Sequence, residues 1–279
     1  IAQNILDNTQ KKLENSGEEV FSEIISRLDE ISDNFSRLIS VVDFTGWALG
    51  VGHQRNFLIA VQNTGWSGAT GGAITSVGLI TIESGNITKI SFNDVYNIDG
   101  QLQTKVITPQ PIQKMDTVWG LHNANWFLDF PTSAGKMAYF YQKSQGVFPD
   151  GVIVVNEKAL EKFLKLTGPI DLLKYDLTID NDNFNYLTAF NVGGEKRANQ
   201  AKRVFNDAAS MIFEKLASLS ENKIEDLLKI AKENSLNKDM LIWLNEEKYE
   251  AIVVGANWGG EVLAGAPDSD YLSVVATDL

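Results

Sequence analysis

The chain has 279 residues, 44% hydrophobic and 22% charged, enough to bury a sizeable core in one large domain or two small ones. Its 24 Lys+Arg against 36 Asp+Glu leave a net charge of −12, which repels polyanions and argues against general nucleic-acid binding. With no cysteine, disulfides, thiolate zinc sites and thiol nucleophiles are excluded.

From Ile5 to Val42 the pattern is helical. Phe21, Leu28, Phe35 and Val42 alternate with Ile24, Ile31 and Leu38 at heptad a and d spacing, and Gly17 divides the stretch into two helices. We expect residues 1–45 to form a helical hairpin or stalk, and residues 46–279 an α/β domain. The first residue is Ile1 rather than Met, and no run of about 18 apolar residues occurs, so we expect a fragment whose membrane anchor lies upstream.

Phe57-Leu58-Ile59-Ala60-Val61 is an apolar run of strand length, as for a central strand buried on both faces. The segments 73–82 and 87–92 flank the turn-rich Glu83-Ser84-Gly85-Asn86 and read as a β-hairpin. Pro131 opens a helix that stops at Gly146, and Gly151 to Val155 is a second buried strand. Asn156 then caps a helix over 157–167, closed by Gly168-Pro169. Helices are expected at 195–219 and 224–234, and strands at 240–244 and 271–275. Strands alternating with helices predict a mixed central β-sheet with helices on its faces.

Two segments are placed to carry function. Asn63 to Gly72 follows a buried strand and holds four glycines in ten residues, a composition that lets backbone N–H groups approach a ligand. It is neither a P-loop nor a dinucleotide fingerprint. Asp94 to Asp99 also follows a strand, and two carboxylates on one loop can hold Mg²⁺ through oxygen ligands. Plain turns are the competing explanation for both. Asn63 and Thr70 on the first loop, with Asn123 and Asn125 among Trp119, Trp126 and Phe127, are the candidate ligand contacts. Arg197 and Arg203 near a helix start could reach an anionic ligand. His53 and His122 have no partner histidine at metal-ligand spacing, so a histidine zinc site is not expected.

The ordered series Leu58-Ile59-Ala60-Val61-Gln62-Asn63, Thr70-Gly71-Gly72, Asp94-Val95-Tyr96-Asn97-Ile98-Asp99-Gly100, Asn125-Trp126-Phe127-Leu128-Asp129-Phe130-Pro131-Thr132-Ser133 and Leu166-Thr167-Gly168-Pro169 resembles the bacterial family called domain of unknown function 4012. The same layout is distantly similar to the LytR-CpsA-Psr proteins, membrane-anchored extracytoplasmic phosphotransferases that move glycopolymers from polyprenyl-pyrophosphate carriers to the cell wall. That resemblance implies a LytR-CpsA-Psr-like fold in the cell envelope, tethered to the membrane. It casts Asp94 and Asp99 as catalytic, Mg²⁺-binding carboxylates, and Arg197 and Arg203 as pyrophosphate ligands. Two departures stand out: 67–72 contains no arginine or aspartate, and Ser91-Phe92-Asn93 places no arginine before Asp94. The alternative is therefore a non-catalytic module of the same fold that binds envelope glycan or lipid-linked sugar, or a scaffold.

Overall fold

The computed structural model describes residues 2–14, 22–65, 67–114, 116–184 and 195–262, with the backbone alone at residues 2, 13, 14, 23 and 195–202. The strand expected at 271–275 and the division at Gly17 lie outside the described residues. The chain divides into two units, one of residues 1–54 with 83–85, the other of residues 55–82 with 86–279.

The first unit holds α1 (Ala2–Glu14) and α2 (Ser22–Ala48). They pair as an antiparallel hairpin: Gln3 near the start of α1 donates to Ser32 and Ser36, and Gln10, further along α1, donates to Asp29.

The second unit is built on a five-stranded sheet in the order β3-β2-β1-β4-β7, where β1 is Arg55–Asn63, β2 Ala73–Glu83, β3 Asn86–Asp94, β4 Gly151–Asn156 and β7 Met240–Leu244. β1 runs parallel to β4, while the pairs β1–β2 and β4–β7 are antiparallel, so the sheet is mixed as the sequence predicts. The unbroken apolar runs in β1 and β4 have a structural cause. Leu58, Ala60, Val152 and Val154 face one core, and Ile59, Val61 and Val155 face the other.

On the first face pack α3 (Val95–Asp99), a short 3-10 segment Leu121–Trp126, and α4 (Phe130–Gln145), whose Phe130, Met137 and Phe140 are fully or almost fully buried. On the second face lie α5 (Glu157–Thr167), α6 (Glu195–Ala217) and α7 (Ile224–Leu236), through Leu160, Phe205 and Ile212 among others. A two-stranded hairpin, β5 (Ile170–Leu172) and β6 (Leu177–Ile179), also feeds this second core; its strands are too short to show alternation in sequence. α8 (Glu247–Gly255) follows β7.

Chain reversal fixes where the functional candidates fall. β1 ends at Asn63, β2 returns antiparallel, and the Ser84-Gly85 turn sends β3 back in the direction of β1. The carboxyl ends of β1, β3 and β4 thus share one rim of the sheet, at Asn63, Asp94 and Asn156. Asn156 pins the start of β7 to that rim: its backbone amide donates to the Asp239 carbonyl at 3.0 Å and its side chain to Asp239 Oδ1 at 2.9 Å.

Candidate functional site at the carboxyl rim

In open α/β sheets, ligands bind beyond the carboxyl ends of the strands, where loops are free to vary and parallel neighbours diverge. Both sequence-predicted loops lie on this rim, and the 3-10 segment Leu121–Trp126 ties one to the other.

The Gly-rich loop is held from below by buried amides. Gln62 Nε2 donates to Thr70 Oγ1 at 2.6 Å, and Asn125 Nδ2 donates to the same hydroxyl at 3.1 Å and to the Gly72 carbonyl at 2.7 Å. Glu157, the first residue of α5 and itself buried, accepts the Thr64 amide with both oxygens, at 2.8 and 2.9 Å. Burial pushes the Glu157 carboxyl above its usual range, more than the Thr64 bonds and nearby Lys158 pull it down. Gly72 is required by packing, because a Cβ there would stand 2.5 Å from the backbone oxygen of Asn63. Asn63 caps its own turn by accepting the Gly65 amide at 2.8 Å.

Asp94 to Asp99 differs from the open acidic loop the sequence suggested: it is a capped helical turn. Asp94 caps α3 by accepting the Tyr96 amide at 2.9 Å, and Asp99 sits at the opposite end of that turn. Asp99 Oδ1 accepts the Leu121 amide at 2.6 Å, while Oδ2 takes the His122 amide at 3.1 Å and lies 2.6 Å from His122 Nδ1. The other ring nitrogen, Nε2, lies 2.6 Å from Asp116 Oδ2, which Asn123 also engages at 2.9 Å. Tyr96 tilts against the imidazole with ring centroids 5.1 Å apart.

Burial alone would lower the His122 pKa, but hydrogen bonds and charge from Asp99 and Asp116 more than offset it, so the pKa stands above the usual value. Conversely, burial would raise Asp116, but the Val118 amide, His122 and Asn123 hold its pKa below the usual carboxylate range. The result is an imidazole whose protonated form is favoured, clamped between two carboxylates that engage both ring nitrogens. Its job in this geometry is to fasten the 116–123 segment to α3.

These bonds bear on the Mg²⁺ expectation. Both Asp99 oxygens are already engaged, Asp94 caps the far end of α3, and no cluster among the described residues combines three carboxylate, imidazole or thiol groups fit to hold a metal. Asp94 and Asp99 therefore do not fit as a joint cation site. Arg203 is exposed on α6, a helix packed against the sheet's second face. The Arg197 side chain lies outside the described residues.

The rim also holds a groove of about 650 Å³. Gly68–Gly71, Lys238, Asn257 and Glu261 line it, with Leu128 and Leu241 among its apolar residues. Lys238 Nζ donates to the Asn257 carbonyl oxygen at 2.7 Å and to its side-chain oxygen at 3.0 Å. Both residues hold left-handed backbone, φ 61° and 59°, where non-glycine residues are uncommon. Asn257 is at home just past a helix end, but Lys238 is not. Glu261 Oε2 is buried without a hydrogen-bond partner among the described residues.

Sequence reasoning brought forward Asn63, Thr70, Asn123 and Asn125 and missed Gln62, Asp116, His122, Glu157, Lys238 and Glu261. A buried strand running straight into Asn156-Glu157 was the one local signal available. Gln62, Asp116, His122 and Lys238 depend on contacts across 6 to 23 residues of chain.

The fold and rim define a mixed α/β domain with its candidate site beyond the carboxyl strand ends. Residues 53–190 match the family described as a protein of unknown function (DUF4012). No curated protein matches the chain significantly. Among solved structures, gbs0355 from Streptococcus agalactiae is 15% identical with TM-score 0.41, over 74% of each chain. TagV from B. subtilis is 11% identical with TM-score 0.41, over 74% of this chain and 80% of its own. The yvhJ protein of Bacillus subtilis is 14% identical with TM-score 0.39, over 81% and 84%. Likenesses at these TM-scores decide neither fold nor function.

Proposed function

We propose that the rim groove binds a hydroxyl-rich ligand, namely a cell-envelope glycan or the sugar of a lipid-linked glycan, and that the domain acts as a binding module. The observation that carries this is the groove's pairing of the Gly68–Gly71 loop, exposed at Gly71, with a lysine and a carboxylate oxygen that has no hydrogen-bond partner among the described residues. A sugar offers donors to the carboxylate and acceptors to the ammonium, and its C–H faces suit Leu128 and Leu241. The resemblance read in the sequence supports an envelope setting, outside the cytoplasm and beside the membrane.

Glycopolymer transfer from a polyprenyl-pyrophosphate carrier is the less favoured use of the same rim. It needs charge-assisted ligands for pyrophosphate, and the groove's one basic lining residue among the described residues is Lys238. Asp94 and Asp99 are already committed to the α3 cap and the His122 clamp.

Calorimetric titration separates the two. The disaccharide of N-acetylglucosamine and N-acetylmuramic acid is expected to bind wild type and to bind Glu261→Gln at least tenfold more weakly. Farnesyl pyrophosphate with Mg²⁺ is expected to show no enhancement over the sugar. Tight pyrophosphate binding that Asp94→Ala abolishes would restore the transferase.

A further inference from the structure

We propose that α2 pairs with α2 of a second copy of this chain, through a seam made of Ile24, Ile31, Phe35, Leu38 and Val42. This inference concerns the helical unit alone and does not rest on the groove. These five side chains are exposed by 47, 44, 45, 58 and 64%, an apolar stripe on a 27-residue helix.

They occupy a and d positions across four successive heptads. A 3.5-residue repeat keeps facing one direction only when two such helices wrap around each other, so the pattern specifies a helical partner of matching period. The partner cannot be α1. Its polar bonds reach Ser32 and Asp29, with Ser36 beside them, at the e and b positions on the flank of the seam, and all the described a and d side chains from Ile24 to Val42 except the half-buried Leu28 stay exposed.

Charge then selects a second copy over a lipid surface. α2 carries five carboxylates, Glu23, Asp29, Glu30, Asp33 and Asp43, against Arg27 and Arg37. A helix that lies on anionic lipid instead lines its polar face with lysine and arginine. Asp29, Glu30, Asp33 and Asp43 fall at b, c and f positions away from the seam, so two copies meet there without like charges facing each other. The g positions hold Arg27, Asn34 and Val41, which with Ile39 at an e position are mostly neutral or apolar and extend the contact, while Ser32 bonds α1.

Sedimentation velocity of the whole chain between about 1 and 100 µM tests this, with circular dichroism confirming that each variant is folded. Wild type is expected to dimerise. Leu38→Asp at a d position is expected to shift the dissociation constant at least a hundredfold, Leu38→Ile to keep the dimer, and Ser40→Asp at an f position to leave it unchanged. A wild type that stays monomeric across this range overturns the proposal. So does a Leu38→Asp dimer of unchanged affinity, or a monomer that instead binds vesicles of phosphatidylcholine and phosphatidylglycerol.

Discussion

Asn125 holds Thr70: its side-chain amide donates to the threonine hydroxyl at 3.1 Å and to the nearby Gly72 carbonyl at 2.7 Å, both bonds buried. Three residues earlier in the same 3-10 segment, His122 grips Asp99. Six residues of irregular backbone thereby set the positions of both loops that the sequence singled out.

Removing that hold should loosen the Gly-rich loop before it unfolds the domain. Asn125→Ala removes the buried side-chain bond to the Gly72 carbonyl and leaves the Thr70 hydroxyl with Gln62 alone, and an unsatisfied buried group costs ~1–3 kcal/mol. Hydrogen exchange of the 67–72 amides is expected to accelerate well beyond that of the β1 amides. Equal acceleration in both would show that Asn125 supports the whole sheet and has no special hold on the loop.

The His122 clamp predicts a pH dependence of definite sign. A histidine whose folded pKa is raised contributes stability that is fully present below its unfolded value and lost as pH rises through the folded pKa. Asp116, with its pKa lowered, contributes stability present above the unfolded carboxylate value and lost as pH falls through the folded one. The clamp is therefore strongest between the unfolded values, about 4 and 6.5. Wild type should lose more of its urea midpoint between pH 6 and 9 than His122→Gln does. With only two histidines in the chain, the His122 ring is easily followed by NMR and should titrate above the ordinary imidazole value of about 6.5. A His122 midpoint below 6 would refute the clamp.

Glu157 carries the opposite message about burial. Its raised pKa means that the folded state favours the protonated form, so ionisation lowers stability as pH rises from the unfolded value to the folded one. Glu157→Gln keeps an acceptor for the Thr64 amide without the buried charge. Its thermal midpoint at pH 7 should equal or exceed that of wild type, whereas Glu157→Ala, which strands the Thr64 amide, should lower it.

Gly72→Ala should be costly for a steric reason alone. The added carbon would meet backbone atoms of Asn63 and Thr64, which cannot rotate away as a side chain could. A loss of ~1–3 kcal/mol in denaturant unfolding is expected, as for overpacking elsewhere. The same change at Gly85, where a Cβ meets nothing within 4 Å but φ is 79°, should cost only the local backbone strain of ~1–2 kcal/mol.

Periodicity and punctuation made the central strands legible. The runs 57–61 and 151–155 could only be doubly buried, and Asn156 with Gly168 bracketed α5 at its true ends. The pair β5–β6 escaped because three-residue strands carry no alternation, and α3 escaped because a one-turn helix looks like any Asp-rich turn. The candidate site was legible only where a loop followed a buried strand. His122 was set aside for want of a second histidine, although two aspartates, six and 23 residues away in sequence, are what make it matter. Lys238 and Glu261 reach the groove through chain reversals that no local pattern reports.

Lys238 offers the most direct test of the groove as a binding site. Its left-handed backbone suits asparagine better than lysine, so Lys238→Asn should relieve strain of about 1 kcal/mol while removing the ammonium from the groove wall. The decisive measurement is the calorimetric affinity of this variant for the envelope disaccharide, taken beside its unfolding midpoint. The binding account predicts a protein at least as stable as wild type that binds the sugar at least tenfold more weakly. Undiminished affinity in a folded Lys238→Asn would contradict it.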